Sequence, residues 1–560
     1  MGKAIIKIWI LYAVLILVKV MIVSFVTSPS IFSDEYFYAK MAQSFFEEGS
    51  LSVHGNPTNA YPPLYSTILS IAYSGGDMTT IYMIMKVINV LLSSLIIFPV
   101  FFLAKEVLNE KLALWSAVLV GFMPMSFAFS SFIMSENIFY TIVMCAILCM
   151  YKALTERKLQ WQVLCGVCIG LAILTRVIGV VLIPVYIIAS VWVYKKQGWM
   201  KKFFQDGIKG ACGCLVIIAP WIIRNAIVFG LSLPGILGSY TRELTTVGRT
   251  ENSWIISFLM WVIIYISMMV MSGGIVFPGM LGIKWKSIKE KNKVFFIIVI
   301  VAIGIFIVTA AHHAATARIH GIANWLPGRP IGRYIDTVLP LVIIGGIVGL
   351  SSYKKEERRG RIKVGIIGMC AAIIVGLITS FKVFLANNLS LTWIGGLQYG
   401  IKGMIGLWGS ILVSITILLV FVWCALWYIK KPLDESKWIL SLLVIFFLGT
   451  SLLASLVIIK NADRWEESEQ GSLGMWIGIH TSQEKILVID KKDCKSADLL
   501  EEGVLCNTKG DTTLIGFWVR KKIRVVDGSK TKEGELLVST QEYPWKKLKE
   551  TEHFRVYERE

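Results

Sequence analysis

The chain has 560 residues, 55% of them hydrophobic and only 17% charged, with a mean hydropathy of +0.67. Soluble chains carry roughly 25% charged residues, so the composition excludes a soluble globular protein, a disulfide-stapled miniprotein and a disordered chain. The net charge of +19 does not point to nucleic acid, because the basic residues lie between apolar runs, where they act as topology signals.

Apolar runs near 8–26, 81–103, 112–131, 136–152, 161–174, 177–194, 207–223, 254–282, 294–311, 335–352, 364–381, 403–429 and 438–459 predict thirteen transmembrane helices. The first run is too long for a signal-peptide core and lacks a small-residue cleavage site, so it is expected to remain as the first span. With the N-terminus in the cytoplasm, every inside loop is basic, from Lys3 and Lys7 through Lys195–Lys209 and Lys284–Lys293 to Lys430, Lys431 and Lys437. That bias orients a multi-pass protein of the plasma membrane and puts everything after the thirteenth span outside.

Residues 461–560 hold 17 basic and 19 acidic residues, a soluble composition, so the basic excess belongs to residues 1–460. Residues 485–490, 523–527, 535–539 and 554–557 are rich in Val, Ile and Leu and predict strands. Residues 498–502 and 545–550 predict short helices. The expected fold is therefore an all-α polytopic membrane domain, 1–460, followed by a small extracytoplasmic α/β domain, 461–560. Cys494 and Cys506 are the only cysteines expected outside the spans and are candidates for a disulfide. Cys165 and Cys168 fall within an apolar helix, where small-residue packing is the expected role.

Polar residues suited to chemistry cluster on the outer face. The first outer loop, 27–80, opens with Ser33-Asp34-Glu35 and continues as an amphipathic helix to Gly49. The two acids either complement that helix's dipole or supply a general base. Glu136, where the third span turns into the fourth, either caps a helix or faces the same cavity. Inner basic residues are mostly Lys. Seven of the twelve outer ones are Arg, among them Arg176, Arg224 and Arg333, each abutting a span. Snorkelling explains any one of these, whereas a planar fork suits a phosphate at a lipid–water boundary. His312, His313 and His320 share an outer loop without the Glu of a His-Glu-x-x-His zinc site, so substrate contact or surface placement is expected rather than a metal.

In order, Asp34-Glu35, Tyr61-Pro-Pro-Leu-Tyr65, Ser135-Glu136, Thr175-Arg176, Pro220-Trp221-x-x-Arg224-Asn225 and Arg333-Tyr334 ahead of Pro340 resemble the C-type membrane glycosyltransferases. The nearest branches are the dolichyl-phosphate-mannose protein mannosyltransferases and the aminoarabinose transferases of lipid A. The resemblance implies a polyprenyl-phosphate-linked sugar as donor and Asp34 as the catalytic carboxylate. Glu35, Glu136, Tyr61, His312 and His313 would bind acceptor or sugar, and Arg176, Arg224, Arg333 and Tyr334 the lipid phosphate. No cofactor and no nucleotide sugar is expected. The chain lacks the Trp-Trp-Asp-Tyr-Gly signature of oligosaccharyltransferase catalytic subunits, so the acceptor stays open between protein, lipid and glycan. A transporter or flippase of an anionic lipid is the rival, but the sequence shows no internal repeat, and apart from Lys19 its charges lie near the ends of the spans.

Overall fold

The computed structural model describes residues 2–30, 33–195, 199–238, 254–273, 276–281, 289–316, 332–352, 437–493 and 511–560, with a few isolated positions between them. The apolar runs fold as helices because lipid offers no partner to a backbone N–H or C=O. In chain order these are α1 (Gly2–Val23), the loop helices α2 (Ser33–Glu48) and α3 (Leu64–Leu69), α4 (Met78–Ser94), α5 (Ile97–Val107), α6 (Glu110–Phe122), α7 (Pro124–Phe127), α8 (Glu136–Glu156) and α9 (Leu159–Thr175). Then follow α10 (Leu182–Tyr194), α11 (Trp199–Phe229), α12 (Leu233–Leu237), α13 (Trp254–Gly273), α14 (Phe277–Leu281), α15 (Glu290–Thr316), α16 (Gly332–Asp336), α17 (Leu339–Ser352) and α18 (Lys437–Glu466).

Seven of the described helical segments are long and apolar enough to cross a membrane, or eight when α6 and the bent segment that follows it count as one span. The bend, 63° between Glu110–Phe122 and Pro124–Ser131, has a plain cause. Pro124 has no N–H for the helix ladder, and the Ser126 hydroxyl bonds the carbonyls of Val120 (2.5 Å), Gly121 (3.1 Å) and Met123 (3.1 Å). The expected spans at 364–381 and 403–429 lie outside the described residues, apart from isolated positions, and so do Cys494, Cys506 and the helix expected over 498–502. Helices α9 and α11 cross with backbones almost touching. A Cβ on Gly166 would lie 1.8 Å from the Gly210 carbonyl oxygen, and one on Gly213 2.5 Å from that of Val163. Cys165, buried on α9, is part of this small-residue interface.

After α18 come α19 (Glu469–His480), β3 (Leu487–Asp490), α20 (Asp511–Phe517), β4 (Ile523–Val526), β5 (Leu536–Ser539), β6 (Lys546–Glu550) and β7 (Arg555–Glu558). The five strands form one sheet in the order β4-β3-β5-β7-β6, with β3 parallel to β4 and β5, and β7 antiparallel to β5 and β6. Residues 546–550 are a strand and not the expected helix. Lys546, Lys547 and Lys549 pair with β7 at the sheet's edge, where charge blocks further strand addition. The hairpin β1 (Ser52–Val53) and β2 (Asn56–Pro57) follows α2. Its turn places His54 at φ 53° and Gly55 at φ 84°, the left-handed pair of a type I′ connection. One hydrophobic core runs from α2 (Tyr36, Ala39, Ala42) through Tyr65, Tyr73 and Tyr82 into Phe517, Trp518 and the sheet.

Candidate active site

The first turn of α2 carries both acids, at the end of the helix where side-chain carboxylates complement the macrodipole. Their side chains part company. Glu35 is 1% exposed, and its carboxylate accepts the N–H groups of Ser30 (3.1 Å) and Ile133 (2.9 Å). It thereby ties α2 to the segment that enters α8. Asp34 is 22% exposed at the side chain, the most open member of a four-charge cluster.

The cluster gathers residues from four places in the chain. Tyr61 donates its hydroxyl to Asp34 Oδ1 at 2.7 Å. Arg333, on α16, lies with Nη1 3.3 Å from Asp34 Oδ2 and 3.0 Å from Glu136 Oε1. Arg176, at the C-terminal cap of α9, brings its Nη1 to 2.6 Å from the same Glu136 oxygen and donates to Ser135 Oγ at 3.1 Å. The Ser135 hydroxyl also meets that of Tyr38 at 2.8 Å. The Arg333 backbone carbonyl accepts from Tyr140 (3.2 Å) and Thr337 (3.3 Å). Burial works against the Arg333 charge, but the Glu136 and Asp34 carboxylates outweigh it and the repulsion of Arg176, so its pKa is raised.

Hydrogen-bonding capacity is left over here. Arg333 Nε and Glu136 Oε2 are buried and have no hydrogen-bond partner among the described residues. Each such group costs about 1–3 kcal/mol unless something satisfies it, and here the two lie in one charged cluster.

The remaining sequence candidates divide. Arg224 is spent on the loop. Its Nη2 donates to the Leu51 carbonyl (2.8 Å) and its Nη1 to the Thr58 carbonyl (2.9 Å) and to Asn225 Oδ1 (2.9 Å), while the guanidinium lies over Trp221 and Phe229. It pins both ends of the β1–β2 hairpin. His313 packs edge-on against Tyr334, beside Arg333, and His312 against Trp254; His320 lies outside the described residues. No group of three or more His, Cys, Asp or Glu side chains among the described residues could hold a metal. Sequence reasoning missed the Tyr38–Ser135 pair that orients Arg176. It also missed Asp336, wholly buried one turn beyond Arg333; its only signal was an acid at i+3 from an Arg.

Residues 61–223 match the family model of the dolichyl-phosphate-mannose-protein mannosyltransferases. The fold resembles the crystal structure of ArnT from Cupriavidus metallidurans bound to undecaprenyl phosphate, at 14% identity and a TM-score of 0.62 over 98% of this chain and 97% of that one. It likewise resembles the same protein's apo structure, at 15% identity and a TM-score of 0.57 over the same shares. A search of curated proteins finds no match. The architecture resembles that of the ArnT membrane protein over nearly the whole chain. The family match, over 61–223 and so under a third of the chain, agrees with it, and both are similarities to the C-type glycosyltransferase superfamily.

Proposed function

We propose that the protein transfers a sugar, mannose being the first to try, from a polyprenyl-phosphate donor to an acceptor hydroxyl, on the extracytoplasmic face of the plasma membrane. This reading keeps the thirteen-span topology, with the N-terminus cytoplasmic and the C-terminal α/β domain outside. It leaves protein, lipid and glycan open as acceptors. ArnT's undecaprenyl phosphate supports the donor class, and the family match supports the reaction.

The observation that carries the mechanism is the double role of Arg333. One guanidinium touches both Asp34 and Glu136 while its Nε has no hydrogen-bond partner among the described residues. A donor phosphate entering between Arg333 and Arg176 gains charge-assisted bonds from two planar forks. Drawing Arg333 toward the phosphate loosens its long 3.3 Å contact with Asp34. Asp34 Oδ2 is then available to accept the acceptor's hydroxyl proton as that oxygen bonds to the anomeric carbon. The sugar–phosphate bond breaks, and its electron pair leaves on the phosphate oxygen, whose growing charge the arginines stabilise. Tyr61 holds the other carboxylate oxygen, so the base stays oriented. One displacement inverts the anomeric centre. Glu35, enclosed by two backbone N–H groups, acts as a strut in this scheme, and Arg224 as a loop fastener.

The test is transfer by the purified protein from a synthetic polyprenyl-phosphate sugar to a panel of acceptors, with Asp34→Asn beside it. Transfer by the wild type and none by the variant is expected. Equal turnover by both would reject the assignment of Asp34.

A further inference from the structure

Helix α2 has two working faces. At 3.6 residues per turn, Asp34, Tyr38 and Met41 share one, and Lys40, Gln43 and Glu47 share the other. The second face meets the connection between α20 and β4. Lys40, 3% exposed, donates its ammonium protons to the Val519 carbonyl and, at 3.2 Å, to Gln43 Oε1. Arg520 sets Nε and Nη2 on Glu47 Oε1 at 3.2 and 2.9 Å, and its Nη1 donates to the Gly76 carbonyl at 2.8 Å. Lys522 pairs with Glu48 at 2.9 Å. At the hairpin turn, His54 Nδ1 accepts the Ile523 N–H at 3.2 Å, which leaves the ring's Nε2–H to the hydroxyl of Tyr36 on α2. Burial and the neighbouring Lys40 push the His54 pKa down to about 3, so the ring stays neutral and this arrangement holds at physiological pH. Trp518 and Phe517 are buried in the same core as Tyr36 and Ala39.

Resting on the transferase reading above, we propose that the C-terminal domain is a positioning element of the enzyme. Its Trp518–Ile523 connection grips the back of α2 and so fixes where Asp34 meets Arg333. Glu47 and Arg520 are positioning residues; neither touches the reacting atoms. The acids and arginines of the cluster sit on separate elements, so a shift of α2 moves the base relative to the phosphate clamp. Misplacement by about 1 Å can cost about 10²-fold. The polar contacts of this connection fall on α2, His54 and Gly76 and not on Glu136, Arg176 or Arg333, so the signature of a loosened α2 is a loss in kcat with little change in donor KM.

The experiment uses the full chain in lipid nanodiscs, comparing the wild type with Arg520→Glu, Glu47→Arg and the double exchange, with Arg520→Lys as the mild variant should a reversal misfold. Two quantities are read: hydrogen exchange of peptides covering 33–48, and kcat and KM for a synthetic polyprenyl-phosphate sugar. Each single reversal is expected to raise exchange over 33–48 by about tenfold or more. It should lower kcat by about tenfold or more with donor KM within about twofold. The double exchange should recover most of both losses, and Arg520→Lys should shift both in the same direction by less. Unchanged exchange over 33–48, a loss confined to KM, or no recovery in the double variant would overturn the proposal. Absence of transfer by the wild type would instead defeat the reading of the reaction, and the exchange measurement would still decide whether the domain grips α2.

Discussion

The two faces of α2 are built from the same residue types and do opposite things with them. Toward α20 and β4, each charged group has its own partner: Arg520 with Glu47, Lys522 with Glu48, Lys40 with a carbonyl and an amide. Toward α8 and α16, Arg333 Nη1 serves two carboxylates, Glu136 Oε1 serves two arginines, and a buried donor and acceptor remain over. One-to-one ion pairs act as fasteners, although in the same region Trp518 Nε1 and Arg524 Nε are also buried without a hydrogen-bond partner among the described residues. Shared and unfinished ones hold capacity in reserve, and in the proposed reaction that reserve is what the donor phosphate would use.

Replacing the proposed proton acceptor should break the contrast most sharply. Asp34→Asn keeps the shape and the Tyr61 contact but removes the base, so turnover should fall ~10²–10⁴-fold with the melting temperature little changed. Arg333→Lys keeps the charge and loses the planar fork. Hydrogen bonds to charged groups are worth about 1.5–3 kcal/mol, so kcat/KM for the donor should fall roughly 10- to 100-fold in steady-state assays. Arg224→Lys, on the fastener side, should lower the melting temperature by a few degrees, the scale of about 1 kcal/mol, and leave donor kinetics within about twofold. Donor kinetics as damaged by Arg224→Lys as by Arg333→Lys would erase the distinction.

The smallest expected effect is a pH slope. Burial first, then Glu47 in the opposite sense and Arg520 in the same sense, bring Lys40 from 10.5 down to about 7. A base with a lowered native pKa binds fewer protons when folded, so stability rises with pH between the two values. The cost of burying the ammonium is full below about pH 7 and is relieved toward pH 10.5. Lys40→Met should flatten the stability–pH curve across that window, as read by thermal melts at a series of pH values.

Much of this organisation is legible from residue order alone. Apolar runs fix the helices because lipid leaves the backbone no other solution, and Asp34 stands out at the start of an amphipathic helix. The division of labour among the arginines is not legible. The same side chain makes a clamp or a fastener depending on which carbonyls come near it, and those that hold Arg224 lie 166 and 173 positions away. Lys40 was hidden for a similar reason, since its burial depends on a connection 479 residues later. The strand at 546–550 is not legible because Lys-Lys-Leu-Lys-Glu, four charged residues around one Leu, carries no apolar period, and its conformation is set by pairing with β7.

The hairpin turn carries a conflict written into one residue. A left-handed backbone favours Gly or Asn, and His54 holds φ at 53° against that preference. His54→Gly would relax the turn and shorten the ring's reach to nothing, so the local loop would gain while Tyr36 and Ile523 lost their common partner. The strain relieved, about 1–2 kcal/mol, is smaller than the cost of leaving two buried polar groups unpaired at about 1–3 kcal/mol each, so the loop keeps its strained histidine as the joint between α2 and β4.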